Sequence, residues 1–323
     1  MAKQAVLLLA HGTPETVEQI PEYLRNVVSG RPLPQAVVEE IQHRYAQIGQ
    51  SPLTEITFAQ ARLVEAELAA AGQPVLVYVG MRNWRPYIPE VVRQMRADGI
   101  EQAAVICMAP QNSRTSVGLY RRAVEAEAGE LQIDFTPGWA RHSLLADAFA
   151  ERLRPALAKL TKELGGPVPV LFTAHSVPTR TVEAPAADAE AGKRLWPGQG
   201  ADPYAEEARH TAELVAARVP EIPRWWFAFQ SQGASGGPWL GPSVEATLEV
   251  IAAEGVKALI LQPIGFLCDH VEILFDVDIL FRGYAAKIGI RLERPESLNA
   301  SATLAKAVAD LALDGLSRLA APQ

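Results

Sequence analysis

Five ionisable side chains interrupt an otherwise apolar stretch: Asp269, His270, Glu272, Asp276 and Asp278 stand among Val, Ile, Leu and Phe between Pro263 and Ile279. Val271, Leu274, Phe275 and Ile279 recur at helical spacing, which predicts a helix carrying Glu272 and Asp276 on one face. Carboxylates so placed, with an imidazole at the start, could hold a cation or pass protons. A solvated acidic face would show a similar charge count, but the neighbours here are too apolar for it. Asp276, one turn beyond Glu272, extends the acidic path toward solvent. On a helix, His270 would point away from Glu272, so it reads as a support. A second imidazole, His175, closes another apolar run, Val168 to Ala174, just before Ser176. Neutral imidazole can bind a metal or accept a proton, and both tasks stay open for His175.

These side chains need a scaffold that brings strand ends together. Ala258 to Leu261 and Val168 to Ala174 read as buried strands of a parallel sheet. Strands and helices alternate along the chain: strands near 5–10, 75–80, 103–109 and 131–135, with helices between them. A long helix, 144–164, ends at Gly165-Gly166-Pro167, the best boundary. The pattern then restarts, with strands at 168–174, 225–229, 257–261 and 290–294 and a last helix at 300–319. Ala10-His11-Gly12 and Ala174-His175-Ser176 open the halves alike. The expected fold is α/β, with two similar Rossmann-like βαβ domains, 1–165 and 166–323, and a cleft between them. Ligands of such sheets bind at the carboxyl ends of the strands, where His11, His175 and Glu272 would sit. The stretch 181–203 breaks the pattern and reads as a surface loop. Gly233 to Gly237 lacks the spacing of either nucleotide fingerprint.

Several motifs together resemble ferrochelatases. They are A-H-S-V-P at 174–178, W-L-G-P at 239–242 and P-I-G-F-L-C-D-H-V-E-I-L-F-D-V-D at 263–278, with G-T-P at 12–14, R-Y-A-Q-I-G-Q-S-P-L at 44–53 and Y-V-G-M-R at 78–82. The resemblance spans nearly the whole chain. It implies insertion of ferrous iron into a porphyrin, with His175 and Glu272 as catalytic and metal-contacting residues and Asp276 as an outer metal residue. It places Arg44, Tyr45, Ser51 and Tyr120 at the porphyrin carboxylates and Trp239 in the turn shaping the pocket. His11 stands where relatives commonly have a ligating Tyr and becomes a candidate axial ligand. A family arginine near Val28 or Ser29 is missing, and Arg25, Arg31 and Arg114 are candidates to replace it. The acidic row also stops early, at Leu280.

Composition narrows the alternatives. A net charge of −7 and a pI near 5.5 argue against a nucleic-acid partner. Cys107 and Cys268 are the two cysteines, too few for the four ligands of an iron–sulfur cluster and suggestive of a reducing compartment. No apolar run approaches the roughly 20 residues of a membrane span, and the N-terminus lacks a secretory pattern. The expectation is a cytoplasmic enzyme without a resident cofactor, whose partners are porphyrin, ferrous iron and, transiently, neighbouring haem-pathway enzymes. The segment 26–45 holds Arg31, Glu39, Glu40, His43 and Arg44 and no Trp or Phe. Such a polar mouth favours coproporphyrin III, with four propionates, over protoporphyrin IX. A cobalt or nickel chelatase and a non-catalytic haem carrier are the competing readings.

Overall fold

The computed structural model describes residues 2–182, 201–232 and 237–321. Most of the 181–203 loop and of the glycine-rich 233–237 stretch therefore lies outside the described residues. Two four-stranded sheets carry the fold, both wholly parallel. The first has β1 (Gln4–Ala10), β2 (Leu76–Met81), β3 (Gln102–Cys107) and β4 (Gln132–Thr136), in the order β2-β1-β3-β4. The second repeats that order with β5 (Val170–His175), β6 (Trp225–Gln230), β7 (Ala258–Pro263) and β8 (Arg291–Glu293). In each, the earliest strand is central, and Leu7, Leu8, Leu9 and Phe172 are fully enclosed, as strands covered on both faces require. His175 ends β5 and His11 follows β1, so both imidazoles lie at the point where the chain turns from one side of a sheet to the other.

The helices come close to the sequence expectation. In the first half, α1 (Ile20–Val27), α2 (Gln35–Ile48), α3 (Leu53–Ala70), α4 (Ile88–Ala97), α5 (Val117–Ala128) and α6 (Ser143–Leu164) follow in order. Then come α7 (Tyr204–Arg218), α8 (Val244–Ala253), α9 (Arg282–Lys287) and α10 (Ala302–Ala320). The exception is the segment expected to be an ordinary helix after β7. Glu272–Phe281 is wound as a π-helix, the rare i→i+5 form that recurs at functional sites.

Two helices cross between the halves. α6 packs on α7, and α10, from the far end of the chain, lies on β3 and β4 of the first sheet. There Gly315 lets α10 approach so closely that a Cβ would stand 3.0 Å from Ala104 Cβ, and Arg318 reaches Asp134 at 2.7 Å. One apolar core consequently runs through both halves, joining Val6 and Leu8 to Phe149, Phe172 and Ile260. No helix among the described residues is long and apolar enough to cross a membrane.

The turn after β1 depends on one glycine. Gly12 has φ +77°, and a Cβ there would lie 2.8 Å from Met81 Cβ and 3.0 Å from the Trp84 amide nitrogen. Its conformation and the crowding by β2 both exclude a side chain. Gly12→Ala is expected to cost about 2–4 kcal/mol, read as a lower urea midpoint with an unchanged slope. An unchanged midpoint would refute this account of the turn.

Candidate active site

The C-terminal wall is assembled where β5, β6 and β7 end together. Register pairs His175 with Gln230. Gly265 lets the loop after β7 run beside β5, since an added Cβ would stand 3.1 Å from Ala174. The loop delivers Glu272 to His175, with Oε1 to Nε2 at 3.2 Å. The other oxygen, Oε2, lies 3.4 Å from His270 Nε2, and His270 Nδ1 donates to the Cys268 carbonyl at 3.0 Å. One carboxylate thus joins two imidazoles. His270 precedes the helix proper, so helical spacing does not govern it: it meets Glu272 instead of pointing away. Phe266 braces both rings, tilted at 4.5 Å to His270 and edge-on at 6.2 Å to His175.

Buried polar groups that the sequence reading missed hold this wall. Thr173 Oγ1 donates to Gln230 Oε1 at 2.6 Å, and Gln230 Nε2 donates to the Glu272 carbonyl at 3.2 Å. Tyr204 donates to the His175 carbonyl at 2.9 Å. Ser231 sits at φ +60°, a costly conformation for serine, and its hydroxyl donates to Asp276. Asp276 is buried, at 4% exposure, and its other oxygen faces Arg44 at 3.4 Å. The expected path toward solvent through Asp276 is therefore corrected: both oxygens are occupied inside the wall. Among the described residues, no three His, Cys, Asp or Glu side chains are arranged to hold a metal ion.

Burial and pairing set the charges. Burial alone would lower the His175 pKa, but the Glu272 charge and hydrogen bond, with a backbone hydrogen bond at Ser176 and the Asp276 charge, raise it above 6.5. Burial would raise Glu272; His175 and His270 outweigh it and hold the carboxyl well below 4.5. Asp276 is pushed up to about 6, mainly by burial and against the Ser231 hydrogen bond, with Glu272 adding to the rise.

The opposite wall comes from the N-terminal half. His11 Nε2 lies 2.8 Å from the Tyr23 hydroxyl, and Asn83 Nδ2 is 3.2 Å from the ring nitrogens. Burial lowers the His11 pKa to about 4 even though the Glu272 charge raises it, so the ring is neutral. Val271, beside His270, packs against the cluster of Tyr23, Tyr45 and Trp84, and Arg44 reaches Asp276, so the two walls meet at the cleft. Arg82, the last residue of the Y-V-G-M-R motif, lies over the Tyr120 ring at 6.0 Å. Tyr45, Ser51 and Tyr120 are buried. The Ser51 and Thr13 hydroxyls have no hydrogen-bond partner among the described residues, and the Tyr45 hydroxyl lies near Tyr23 without a well-formed bond. Arg44 is partly engaged, by Glu40 at 3.0 Å as well as by Asp276. Trp239 bridges to Pro178 and so belongs to the turn paired with the strand end of His175.

Two parallel sheets of like order, facing each other across a cleft with a histidine–carboxylate pair, define a chelatase-type enzyme. Solved structures agree on the fold: the sirohydrochlorin chelatase SirB from Bacillus subtilis subspecies spizizenii, in complex with cobalt, aligns with TM-score 0.54 at 10% identity over 97% of this chain and 94% of that one. The sequence matches the family profile Ferrochelatase over residues 3–316. It is 60% identical over 322 residues to a ferrochelatase of Acidobacterium capsulatum, covering 99% of this chain and 97% of that protein. A coproporphyrin III ferrochelatase of Mycolicibacterium vanbaalenii is 38% identical over 322 residues, covering 96% and 89%. The chain belongs to the ferrochelatase family, whose members insert iron into porphyrin.

The opposed pKa shifts have a stability consequence. Glu272, held below its ordinary 4.5, contributes stability present above about pH 4.5 and lost as pH falls through its folded value. His175, held above 6.5, contributes stability present below about pH 6.5 and lost as pH rises through its folded value. The pair therefore supports the fold most between those two pH values. The Tm gap between wild type and Glu272→Gln is expected to be widest near pH 5.5 and to shrink by pH 9. A gap independent of pH would show that the pair is not ionised as described.

Proposed function

We propose that the enzyme inserts ferrous iron into coproporphyrin III, and that His175 and Glu272 take up the two protons the macrocycle releases. The reading rests chiefly on carboxylate donors at two separate places in the N-terminal wall. One is the Arg44, Tyr45 and Ser51 group, where buried hydroxyls lack full hydrogen bonds. The other is an open groove of about 530 Å³ lined by Glu22, Arg25, Asn26, Arg82 and Tyr87. Arg82 joins this groove to the cleft, since it also lies over Tyr120 and influences His11. Glu22 in the groove is drawn to Arg85 at 3.6 Å on the rim. Among the three candidates for the absent family arginine, Arg114 is tied to the Thr181 carbonyl at 2.6 Å and Arg31 to the Val28 carbonyl at 3.0 Å. Arg25 alone of the three lines the groove. Four propionates can use both donor groups, whereas the two of protoporphyrin IX need one. The M. vanbaalenii relative, a coproporphyrin III ferrochelatase, supports the same choice.

In this mechanism the porphyrin lies between the walls, its pyrrole N–H groups toward His175. An imidazole accepts a proton only when neutral, so His175 first gives its own to solvent, and the loss of that cationic neighbour also makes Glu272 a better proton acceptor. Asp276, with its pKa near 6, is the next carboxylate and can share the load. Iron approaches the pair as substrate. His11, neutral and opposite, can offer a ring nitrogen to iron in the product by giving up its Tyr23 hydrogen bond. We assign the enzyme no resident cofactor and expect its setting to be cytoplasmic.

His175→Ala is expected to lower kcat by about 10²-fold or more while porphyrin affinity stays within a few-fold. Because the His175 pKa lies above 6.5, the wild-type rate should climb as pH rises through that value. Glu272→Gln removes the main upward influence, so the acidic limb should move to lower pH as the maximum falls. A His175→Ala variant with normal turnover, or an acidic limb that stays put in Glu272→Gln, would remove the pair from the mechanism.

Substrate choice is tested by kcat/KM for coproporphyrin III against detergent-dispersed protoporphyrin IX. The expected preference is for coproporphyrin, at least tenfold, from two added charge-assisted hydrogen-bonded carboxylates, each contributing roughly 1.5–3 kcal/mol before desolvation. A preference for protoporphyrin IX overturns the assignment. Stoichiometric porphyrin binding that never metallates an excess would instead indicate a carrier.

A further inference from the structure

One guanidinium holds both ends of the acidic segment. Arg294, just after β8 and 10% exposed at its side chain, grips Asp278 with two parallel bonds, Nε to Oδ1 at 2.8 Å and Nη2 to Oδ2 at 2.7 Å. Its remaining nitrogen, Nη1, reaches Asp269 Oδ1 at 3.2 Å, Ser297 Oγ at 3.2 Å and the Pro295 carbonyl at 3.0 Å. Asp269 immediately precedes His270, and Asp278 lies in the π-helix two residues beyond Asp276. Asp269 is satisfied further: Ser297 donates to Oδ1 at 2.7 Å, Asn299 Nδ2 donates to Oδ2 at 2.9 Å, and the Asp269 amide donates to Asn299 Oδ1 at 2.9 Å. Asp278 has one further neighbour, Arg282, at 3.7 Å. The segment carrying this network is anchored to the other half of the molecule. Asn299, at φ +47°, accepts at its carbonyl from Gln60 of α3 at 2.9 Å, and the Leu298 carbonyl accepts from Arg152 of α6 at 3.2 Å.

We propose that Arg294 is a positioning residue for iron insertion, clamping Asp269 to Asp278 so that His270 and Glu272, between them, are presented to His175 at fixed distance. The physical basis is the planar fork, which fixes a carboxylate in direction as well as in distance. A lysine would keep the charge and lose the direction. Loss of either carboxylate would leave a largely buried cation underpaired. The wide turn of a π-helix is otherwise rarely sustained, and here the loop just before it and Asp278 within it are tied to the same group.

The inference rests on the role given to Glu272 above, so Glu272→Gln is run beside the clamp variants. Initial rates of iron insertion are measured anaerobically, well below each variant's Tm, for Arg294→Lys, Arg294→Met, Asp269→Asn and Asp278→Asn. The expected result is a fall in kcat of tenfold or more for Arg294→Met, with porphyrin KM within twofold. Arg294→Lys should recover part of the loss. Adding Asp269→Asn to Arg294→Met should cost little more, since the same link is already broken. If both Arg294 variants are folded and retain kcat within twofold while Glu272→Gln is impaired, the clamp is overturned and the site reading stands. If Glu272→Gln is itself unimpaired, the site reading falls first. Should Arg294→Met not fold, the Lys variant and the two Asn variants decide the matter by the same split of kcat from KM.

Discussion

A carboxylate set among apolar side chains gains from pairing, and Glu272, partly buried, is paired twice. Its two oxygens meet two imidazoles, one at the end of β5 and one in the loop after β7. Much of the C-terminal half can be understood as the means of keeping that arrangement. Gly265 permits the close passage of the loop, Gln230 holds the carbonyl, and Tyr204 fixes the backbone of His175. An uncompensated charge in this partly buried position would be unfavourable, so the wall tolerates little slack. The same pairing gives the site opposite protonation tendencies a few ångströms apart, which is what a reaction that sheds protons from a bound macrocycle requires.

The two halves contribute unlike chemistry on like scaffolds. Both place a histidine at the end of the central strand. His175 lies beside carboxylates that raise its pKa; His11 lies among Tyr23, Asn83 and Arg82, and burial lowers its pKa to about 4. Equivalent positions in a repeated fold thus diverge through their neighbours, without any change in the backbone plan. In the proposed reaction the N-terminal wall receives the carboxylates and the C-terminal wall receives the protons.

The positions of strands and helices and the strand-end histidines were legible because they follow from local periodicity and from glycine and proline punctuation. Glu272 and His175 stood out as polar groups in apolar runs. Other features depend on contacts between distant parts of the chain. Nothing local says that Asp276 turns inward to Ser231 and Arg44, and polarity alone suggests the reverse. The meeting of His270 with Glu272 escaped because helical geometry does not extend one turn before the helix. The π-helical winding is equally silent in sequence, since Val271, Leu274 and Phe275 satisfy an ordinary helix as well. Tyr23, Asn83 and Ser231 looked like generic helix or loop residues; only the arginine closing Y-V-G-M-R carried a signal, and it sat in a motif already noted for another reason.

The placement of α10 bears on how the protein is made. Residues 302–320 cover β3 and β4, strands synthesised some two hundred residues earlier. Until they emerge, the inner face of the first sheet, with Ala104 and Ile106, lacks part of its cover. A first half released alone from the ribosome would therefore expose an apolar sheet surface of the kind that chaperones bind and that aggregates nucleate on. The molecule resembles two repeated domains in plan, yet it can be completed only as a whole.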